Sequence, residues 1–417
     1  MEKRPLGYSI VAAQLLIGAC IAWYLIANVW RVIPELPKSP SDFSVYYRSG
    51  QALRHGTSPF LQPEYDYPPL IAFLAAPLTL LNYVAARWIW FLLSQACLLL
   101  AAWWMWRALG RDRIAACSAI VVWALGGAIA ENLALGEAGP LLVLVFAAAY
   151  TREGTKQGAY IGFGAALKFI PAVLAAALAL RRDRRAIGGL ATGILGFLIL
   201  PWLVLQYGLS GPPAPRTTGY WMGTPAILSW SLPSAVLRAM DPPKRGAHLP
   251  PDWEYGNATT AIARPGPRFI SVAVALCTLG AGLLALLWIS HGKLNAKQSP
   301  FAMAGLLSLS LAAAPICWTH YQVMQYPGLA LLLCAAWRRR SWVHLSSIVL
   351  LGACLYQLPV GVLTDYYRQH GGWTAASPPT LYFWTTVTPI ASLALFALFL
   401  REVRLRALTG APNAHPL

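Results

Sequence analysis

Long apolar blocks, separated by short basic or polar intervals, run along almost the whole chain. Several blocks exceed the roughly 20 residues that a helix needs to cross a hydrocarbon core of about 30 Å. The pattern therefore predicts an all-α polytopic membrane protein with about twelve transmembrane helices. The predicted segments are 8–33, 67–82, 87–106, 114–131, 138–151, 157–180, 186–207, 267–291, 299–315, 320–337, 341–362 and 379–400.

Basic clusters at the ends of the blocks predict the orientation, because such clusters are enriched in cytoplasmic loops. The main clusters are RRDRR at 181–185, RRR at 338–340 and REVRLR at 401–406. Strict alternation satisfies all three and puts both termini in the cytoplasm. Smaller clusters around Arg107 and Arg152 would then lie outside. Either of the short segments 67–82 and 138–151 could instead be re-entrant, which irregular backbone permits where protein or water covers it.

Polar loops divide the chain into three parts. Residues 1–207 form a membrane module with an outer loop at 34–66, and residues 267–417 form a C-terminal transmembrane module. Between them, residues 208–266 form a long outer loop whose middle, 224–240, has the spacing of a surface helix. A structureless loop of this length is uncommon in a compact fold, so we expect it to be functional or disordered.

Composition supports the membrane class and excludes others. Hydrophobic residues make up 57% and charged residues 11%, far below the roughly 25% charge of soluble domains. The net charge of +17 comes mostly from the loop clusters, so it does not indicate nucleic-acid binding. The seven Cys lie in apolar segments without metal-ligand spacing. We expect no disulfide framework, no metal site and no cofactor, with metal dependence left open.

The stretch 41–81 carries the first candidate chemistry. Apolar and small residues recur at helical spacing at Phe43, Tyr46, Tyr47, Gly50 and Leu53. Ser41 is a plausible N-cap and Gly56 a plausible stop. The pattern predicts a short amphipathic helix with Asp42 in its first turn. That carboxylate could be reactive, or it could merely complement the positive end of an anchoring helix.

Ionisable residues inside apolar segments are functional candidates, since burying them in a membrane is costly. Lys168 lies within the segment 157–180, just before Pro171. His320 follows a Pro-interrupted stretch, Arg238 ends a run in the long loop, and Glu137 lies in a short break. Lys168 could be a snorkelling lysine, His320 a packed interface histidine and Arg238 an ordinary loop arginine. Strict alternation puts the break at Glu137 on the inner side, so a role for Glu137 requires a re-entrant segment.

Together these residues suit one chemistry. A carboxylate can act as a general base, while cations and a helix N-terminus can hold a phosphate. The sequence shows no Ser-His-Asp arrangement, Walker loop or Cys/His cluster. The set favours transfer of a group from a lipid phosphate to a hydroxyl, deprotonated by Asp42.

Four motifs resemble glycosyltransferase family 87, membrane enzymes with the GT-C architecture that are similar to polyprenol-phosphate-mannose-dependent mannosyltransferases. The first comprises DFSVYY (42–47), GQALRHGTSPF (50–60) and YDYPP (65–69). The others, in family order, are GAALKFIP (164–171), SLPSAVLR (231–238) and APICWTHY (314–321). The resemblance covers about residues 8–400.

The resemblance implies roles for these residues. Asp42 would be the catalytic base, and the sugar would come from a polyprenyl monophosphate with inversion. Lys168, Arg238 and His320 would approach the donor phosphate. The cavity would be lined by Tyr46, Tyr47, Asp66, Tyr67, Glu137 and Trp318. Mannose transfer to a glycolipid or glycan, by a monomer with its active site on the outer face of a bacterial plasma membrane, is then the expected activity.

Departures from the family pattern keep alternatives open. The chain has GEAG at 136–139 where the family often has G-Q-x-N, and Tyr321 where the family has a second His. Acceptor and exact sugar therefore do not follow from the resemblance. A transporter or flippase of lipid-linked sugars, and a non-catalytic subunit of a cell-envelope assembly, are the rival hypotheses.

Overall fold

The computed structural model describes the helical framework and the proposed site, and its regular elements within the described residues are all helices. It describes residues 15, 18–38, 41–62, 65–111, 127–208, 229, 231–240, 265–355 and 378–408, without the side chains of 265–268 and 378–385. The α-helices are α1 Asp42–Arg54, α2 Pro69–Ala75, α3 Tyr83–Ala108, α4 Gly127–Leu135, α5 Gly139–Thr151, α6 Gly154–Leu167, α7 Ala175–Arg181, α8 Arg184–Ile194, α9 Leu200–Gly208, α10 Leu232–Met240, α11 Pro265–Ile289, α12 Ser299–Ala313, α13 Tyr326–Arg338, α14 Trp342–Leu355 and α15 Pro378–Leu408. The described residues do not include most of the long loop 208–266, residues 363–377 or the two chain ends.

Four of the described helices are long and apolar enough to cross a membrane. They are Tyr83–Ala108, Arg184–Gly208, Phe269–Ile289 and Thr386–Leu408. Each coincides with a predicted segment, which confirms the all-α membrane class. Shorter apolar helices occupy Pro69–Leu80, Gly139–Thr151, Ile170–Arg181, Ser299–Ala313 and Trp342–Leu355. Twelve full crossings are therefore not confirmed.

The predicted amphipathic helix is present as α1. The Ser41 side chain accepts from the Ser44 backbone, and the Ser44 side chain accepts from the Ser41 backbone, which is a capping box. Gly56 has a φ of +71° just past the helix end. Gly50 lies so close to the backbone of Ala76 that an added Cβ would approach its nitrogen to 2.8 Å. This contact holds α1 against the chain that follows α2.

The predicted segment 157–180 is not a single span. Helix α6 ends at Leu167, and Lys168 takes an extended conformation with φ −149° and ψ 140°. The chain then reverses into α7, so that Arg181 Nη2 lies 3.6 Å from Glu153 Oε1. Arg181 Nη1 also donates to Gln157 Oε1 at 3.1 Å. The two ends of the segment therefore meet, and Lys168 lies at the tip of a helical hairpin.

Close backbone packing holds this hairpin against α8. A Cβ on Gly158 would lie 1.8 Å from the Ala186 oxygen, and one on Gly189 would lie 2.0 Å from the Thr155 oxygen. Small residues spaced four apart commonly permit such close approach between membrane helices.

Long-range contacts gather the basic loop clusters at one end of the bundle. Arg338 donates to the Leu109 carbonyl. Leu294 N donates to the Leu180 carbonyl at 3.1 Å, next to Arg181. Helix α6, with 14 residues, carries the chain about 21 Å from this end to Lys168. The clusters around Arg107 and Arg152, which strict alternation put on the far side, therefore lie with the others.

The predicted segment 67–82 is the second place where the contacts differ from strict alternation of spans. The apolar stretch Pro69–Leu80 is too short to cross about 30 Å of hydrocarbon. Tyr67 and Tyr83, which flank this stretch, both contact residues at the start of α1: Tyr67 contacts Asp42 and Tyr83 contacts Ser41. The described contacts therefore do not support strict alternation at 67–82 and 157–180, and at 67–82 they fit the re-entrant alternative.

Candidate active site

Asp42 and Glu137 face each other across the hydroxyl of one tyrosine. The Tyr67 hydroxyl lies 3.2 Å from Asp42 Oδ1 and 3.4 Å from Glu137 Oε1. Asp42 is the first residue of α1 and is partly exposed, whereas Glu137 is only 2% exposed. The Asp42 carboxylate is therefore partly accessible, whereas the Glu137 carboxylate is buried.

The turn between α4 and α5 positions Glu137. Gly136 ends α4 with a φ of +71°, and an added Cβ would lie 2.6 Å from the Phe43 Cβ. The buried Trp90 indole donates to the Gly136 carbonyl at 2.8 Å. The Arg87 guanidinium donates to the carbonyls that end α4. A side chain other than hydrogen at position 136 would therefore displace the turn that carries the acid.

Each oxygen of the Glu137 carboxylate has close polar partners. Oε2 accepts from the Tyr46 hydroxyl and from the Ala138 backbone, both at 2.9 Å. Oε1 accepts from Lys168 Nζ at 2.9 Å and lies 3.2 Å from His320 Nε2. Glu137 is therefore the counter-ion that joins both predicted cations.

Lys168 reaches the cluster because the chain leaves helical geometry at that residue. Its ammonium group is buried and lies 3.9 Å from the centre of the Tyr321 ring, in a cation–π geometry. The same group lies 5.8 Å from the Tyr67 ring. The contact with Glu137 replaces the interpretation of Lys168 as a snorkelling lysine.

His320 lies in the 3₁₀ helix Thr319–Gln325, which leads into α13. Its backbone carbonyl accepts from the Asn132 side chain at 2.7 Å. Its Nδ1 lies 3.8 Å from Glu131 Oε1, on the side of the ring opposite Glu137. The imidazole is therefore flanked by two carboxylates carried by, or directly following, α4.

The two central carboxylates have opposite electrostatic environments. Burial, reinforced by the charge of Glu137, raises the pKa of Asp42 to about 6. Burial alone would also raise the pKa of Glu137, but Lys168 and His320 outweigh it and hold that pKa well below its usual range. Near neutral pH Asp42 is the better proton acceptor, and Glu137 is a fixed charge.

Three of the residues predicted to line the cavity, Tyr47, Asp66 and Trp318, lie around the charged cluster. The Tyr47 hydroxyl donates to the Leu81 carbonyl, so Tyr47 packs α1 against the chain that follows α2. Asp66 is exposed beside Tyr67. Trp318 precedes the 3₁₀ helix and is partly exposed.

Arg238 joins the long loop to the site through the backbone. It is 1% exposed, and its Nη1 donates to the Ser229 carbonyl at 3.0 Å. Ser229 pairs with Trp318 in an antiparallel bridge, and its hydroxyl accepts from the Cys317 backbone at 3.2 Å. Arg238 therefore fastens α10 beside the segment that carries His320.

Two further residues, to which the sequence pattern assigns no role, contact the predicted set. Glu131 lies next to His320, and Tyr321 lies under the Lys168 ammonium. Glu131 stands six residues before Glu137 around the same break, and Tyr321 follows His320 directly. Both positions can be identified in the sequence, but their contacts with residues far along the chain cannot.

A metal ion is the other species that such groups could bind. Ligand atoms of Asp42, Glu137 and His320 lie within 4.8 Å of one another. Lys168 already donates to the Glu137 oxygen that faces this space, so a divalent ion would meet a buried ammonium group. The donor set therefore does not fit a resident metal.

Apolar helices surround a buried cluster of acids and cations in which Asp42 has a raised pKa, features that a membrane-embedded group-transfer enzyme would need. The model of glycosyltransferase family 87 matches residues 65–240. The chain is 26% identical over 455 aligned positions, covering 95% of each protein, to the polyprenol-phosphate-mannose-dependent alpha-(1-2)-phosphatidylinositol mannoside mannosyltransferase of Mycobacterium tuberculosis (strain ATCC 25618 / H37Rv). The chain is therefore similar to glycosyltransferase family 87 over residues 65–240 and to a mannosyltransferase over nearly its whole length, and both matches support a membrane glycosyltransferase.

Proposed function

We propose that the protein transfers mannose from a polyprenyl-phosphate-linked donor to a hydroxyl of a glycolipid acceptor. The donor and the acceptor class are those named for the mycobacterial relative. One observation carries the proposal. Asp42 is partly exposed and has a raised pKa, and it lies beside a buried Glu137 that is bound to two cations.

The reaction needs one base and one stabilised leaving group. The acceptor oxygen attacks C1 of the sugar as Asp42 takes the hydroxyl proton, and a new C1–O bond forms. The bond between C1 and the phosphate oxygen breaks, and the lipid phosphate leaves with the electron pair. Attack opposite the leaving group inverts the configuration at C1.

Asp42 is the preferred base for an electrostatic reason. A general base works best when its pKa lies near the working pH, and an environment that separates the pKa values of two acids assigns their roles. Asp42 meets this condition and is partly exposed, whereas Glu137 is held ionised by Lys168 and His320.

Lys168 and His320 supply positive charge for the departing phosphate. Preorganised cations act strongly where little water competes with them. Glu137 holds both cations in place before the donor arrives, so little reorganisation is needed as charge develops on the leaving group. The Tyr46 hydroxyl donates to Glu137 and the Tyr67 hydroxyl donates to Asp42, which fixes the two carboxylates.

Orientation follows from the basic end of the bundle. Basic clusters favour the cytoplasm, so the site, about one helix length away, is proposed to open at the outer face of a bacterial plasma membrane. In this arrangement residues 1–207 carry Asp42, Glu137 and Lys168, and 267–417 carry His320. Arg238, in 208–266, is proposed to hold the loop beside the donor phosphate.

Turnover in detergent tests this function. Purified protein, labelled polyprenyl-phosphate mannose and a mycobacterial-type phosphatidylinositol mannoside fraction should give a labelled glycolipid without sealed vesicles. A panel of other lipid-phosphate sugars tests the sugar. Movement of donor that requires a sealed bilayer, with no glycolipid formed in detergent, would instead support the flippase hypothesis.

A further inference from the structure

The surroundings of His320 contain an acid that the proposed reaction does not use. Glu131 is on α4, and its side chain keeps 26% of its exposure, compared with 9% for His320. The Thr319 hydroxyl donates to the same Glu131 oxygen that faces His320 Nδ1. One carboxylate oxygen therefore touches two consecutive residues of the 3₁₀ helix.

A second contact from α4 fixes the same stretch of backbone. The Asn132 amide donates to the His320 carbonyl at 2.7 Å and to the Ala128 carbonyl within its own helix at 2.7 Å. Adjacent residues of α4 thus hold His320, Asn132 by the backbone and Glu131 by the ring.

We propose that Glu131 is a positioning residue that keeps the His320 imidazole protonated and turned with its Nε2 toward Glu137 and the donor phosphate. A histidine ring has two distinct nitrogens, and the partner of one determines what the other presents. With Glu131 at Nδ1 and Glu137 at Nε2, the ring keeps both protons and presents one of them at Nε2. The inference rests on the proposed function, because the phosphate is the ligand that this proton would meet.

The groups that face His320 make this arrangement sensitive to charge. Glu131 and Glu137 approach it from the α4 side, and Asp42 lies on α1. Lys168 binds the same Glu137 oxygen, and the Tyr321 ring packs on the imidazole with centres 4.8 Å apart. Glu137 also binds Lys168, whereas Glu131 contacts the imidazole at Nδ1.

Four variants test the proposal. Glu131→Gln removes the charge but retains an oxygen for Thr319, and Thr319→Val removes the hydroxyl but retains the charge. His320→Gln and the double variant Glu131→Gln/His320→Gln complete a double-mutant cycle, which measures whether two residues act through each other. The readouts are kcat/KM and kcat for labelled donor, and the unfolding temperature in detergent.

A purely structural role for Glu131 would give a different pattern from positioning. We expect Glu131→Gln to lower kcat/KM roughly tenfold, equivalent to about 1.4 kcal/mol, with Thr319→Val near wild type. In the His320→Gln background the same change should have less than about a twofold effect. Multiplicative losses in the double variant, or equal losses in Glu131→Gln and Thr319→Val, would overturn the proposal.

One readout does not depend on transfer. Histidine C2 hydrogen–deuterium exchange, followed by mass spectrometry across pH, reports the protonation of His320 in the purified protein. Its titration midpoint should move to lower pH in Glu131→Gln and remain in place in Thr319→Val. An unmoved midpoint in Glu131→Gln contradicts the positioning role even if no donor is turned over. Absence of wild-type turnover with a moved midpoint contradicts only the proposed function.

Discussion

Lys168 Nζ and Glu137 Oε1 form a buried ion pair at 2.9 Å, although they belong to parts of the chain that strict alternation of spans would separate. The pair exists because Lys168 lies at the tip of the hairpin formed by α6 and α7 and Glu137 lies in the turn between α4 and α5. It joins the helical framework to the chemistry of the site.

Removing one member of this pair should destabilise the protein. Lys168→Met leaves a buried carboxylate without its cation, which typically costs about 3–5 kcal/mol. Glu137→Gln/Lys168→Met removes both charges and should recover part of that loss. Thermal unfolding in detergent, followed by tryptophan fluorescence, measures both. Equal unfolding temperatures for the single and double variants would show that the charges do not interact as described.

The pH dependence of catalysis should report Asp42. The pKa of about 6 predicts that kcat/KM falls roughly tenfold per pH unit below about 6. Measuring initial rates from pH 4.5 to 8.5 with subsaturating donor checks this. An ordinary aspartate titrates near pH 4, so a kcat/KM that stays constant down to about pH 5 would show that Asp42 is not perturbed.

The same shift makes a prediction about stability. A folded-state pKa raised above the unfolded value means that the proton on Asp42 stabilises the fold at low pH, and this contribution is lost as the pH rises through about 6. At pH 7, Asp42→Asn should therefore be as stable as wild type or more so, by up to about 3 kcal/mol. Unfolding temperatures at pH 5 and pH 7 test this, and the gain should shrink at pH 5.

Gly136 and Gly56 form a matched pair for testing the turn that carries Glu137. Both have a φ of +71°, but a Cβ would meet the Phe43 Cβ at 2.6 Å at position 136 and nothing within 4 Å at position 56. Both Ala variants carry a backbone penalty of about 1–3 kcal/mol. Only Gly136→Ala should also lower kcat. A similar kcat loss in Gly56→Ala would contradict this account.

Cysteine labelling tests the arrangement of the ends. In a variant without native Cys, Lys156→Cys on α6 and Arg184→Cys at the start of α8 flank the hairpin beside the basic end. Both should react with an impermeant maleimide from the same side of intact spheroplasts or inverted vesicles. Arg48→Cys, exposed on α1, should react from the opposite side. Labelling of 156 and 184 from opposite sides would restore a single crossing for 157–180.

Local features of the site could be predicted from the sequence. Ser41 and Gly56 mark the limits of α1, and Pro171 indicates the break beside Lys168. These signals act within a few residues, where capping and backbone restriction dominate. Lys168 and His320 stood out because ionisable groups are rare in apolar segments, and Asp42 stood out because it lies in the first turn of a predicted amphipathic helix.

The relations between distant parts could not be predicted in the same way. A run of apolar residues has the same pattern whether it crosses a membrane or reverses, so the Arg181–Glu153 contact that closes the hairpin was not evident. The role of Glu131 depends on the proximity of α4 to the 3₁₀ helix. Such contacts arise from packing over the whole chain, and single-segment patterns do not encode them.

The most direct test of Asp42 as the base is single-turnover transfer by wild type and Asp42→Asn at saturating donor and acceptor. Asn is nearly isosteric and retains an oxygen for Tyr67, but it cannot take the acceptor proton. We expect a folded variant that binds donor and forms product at least about 100-fold more slowly, within the usual contribution of a general base. Product formation at the wild-type rate would contradict it.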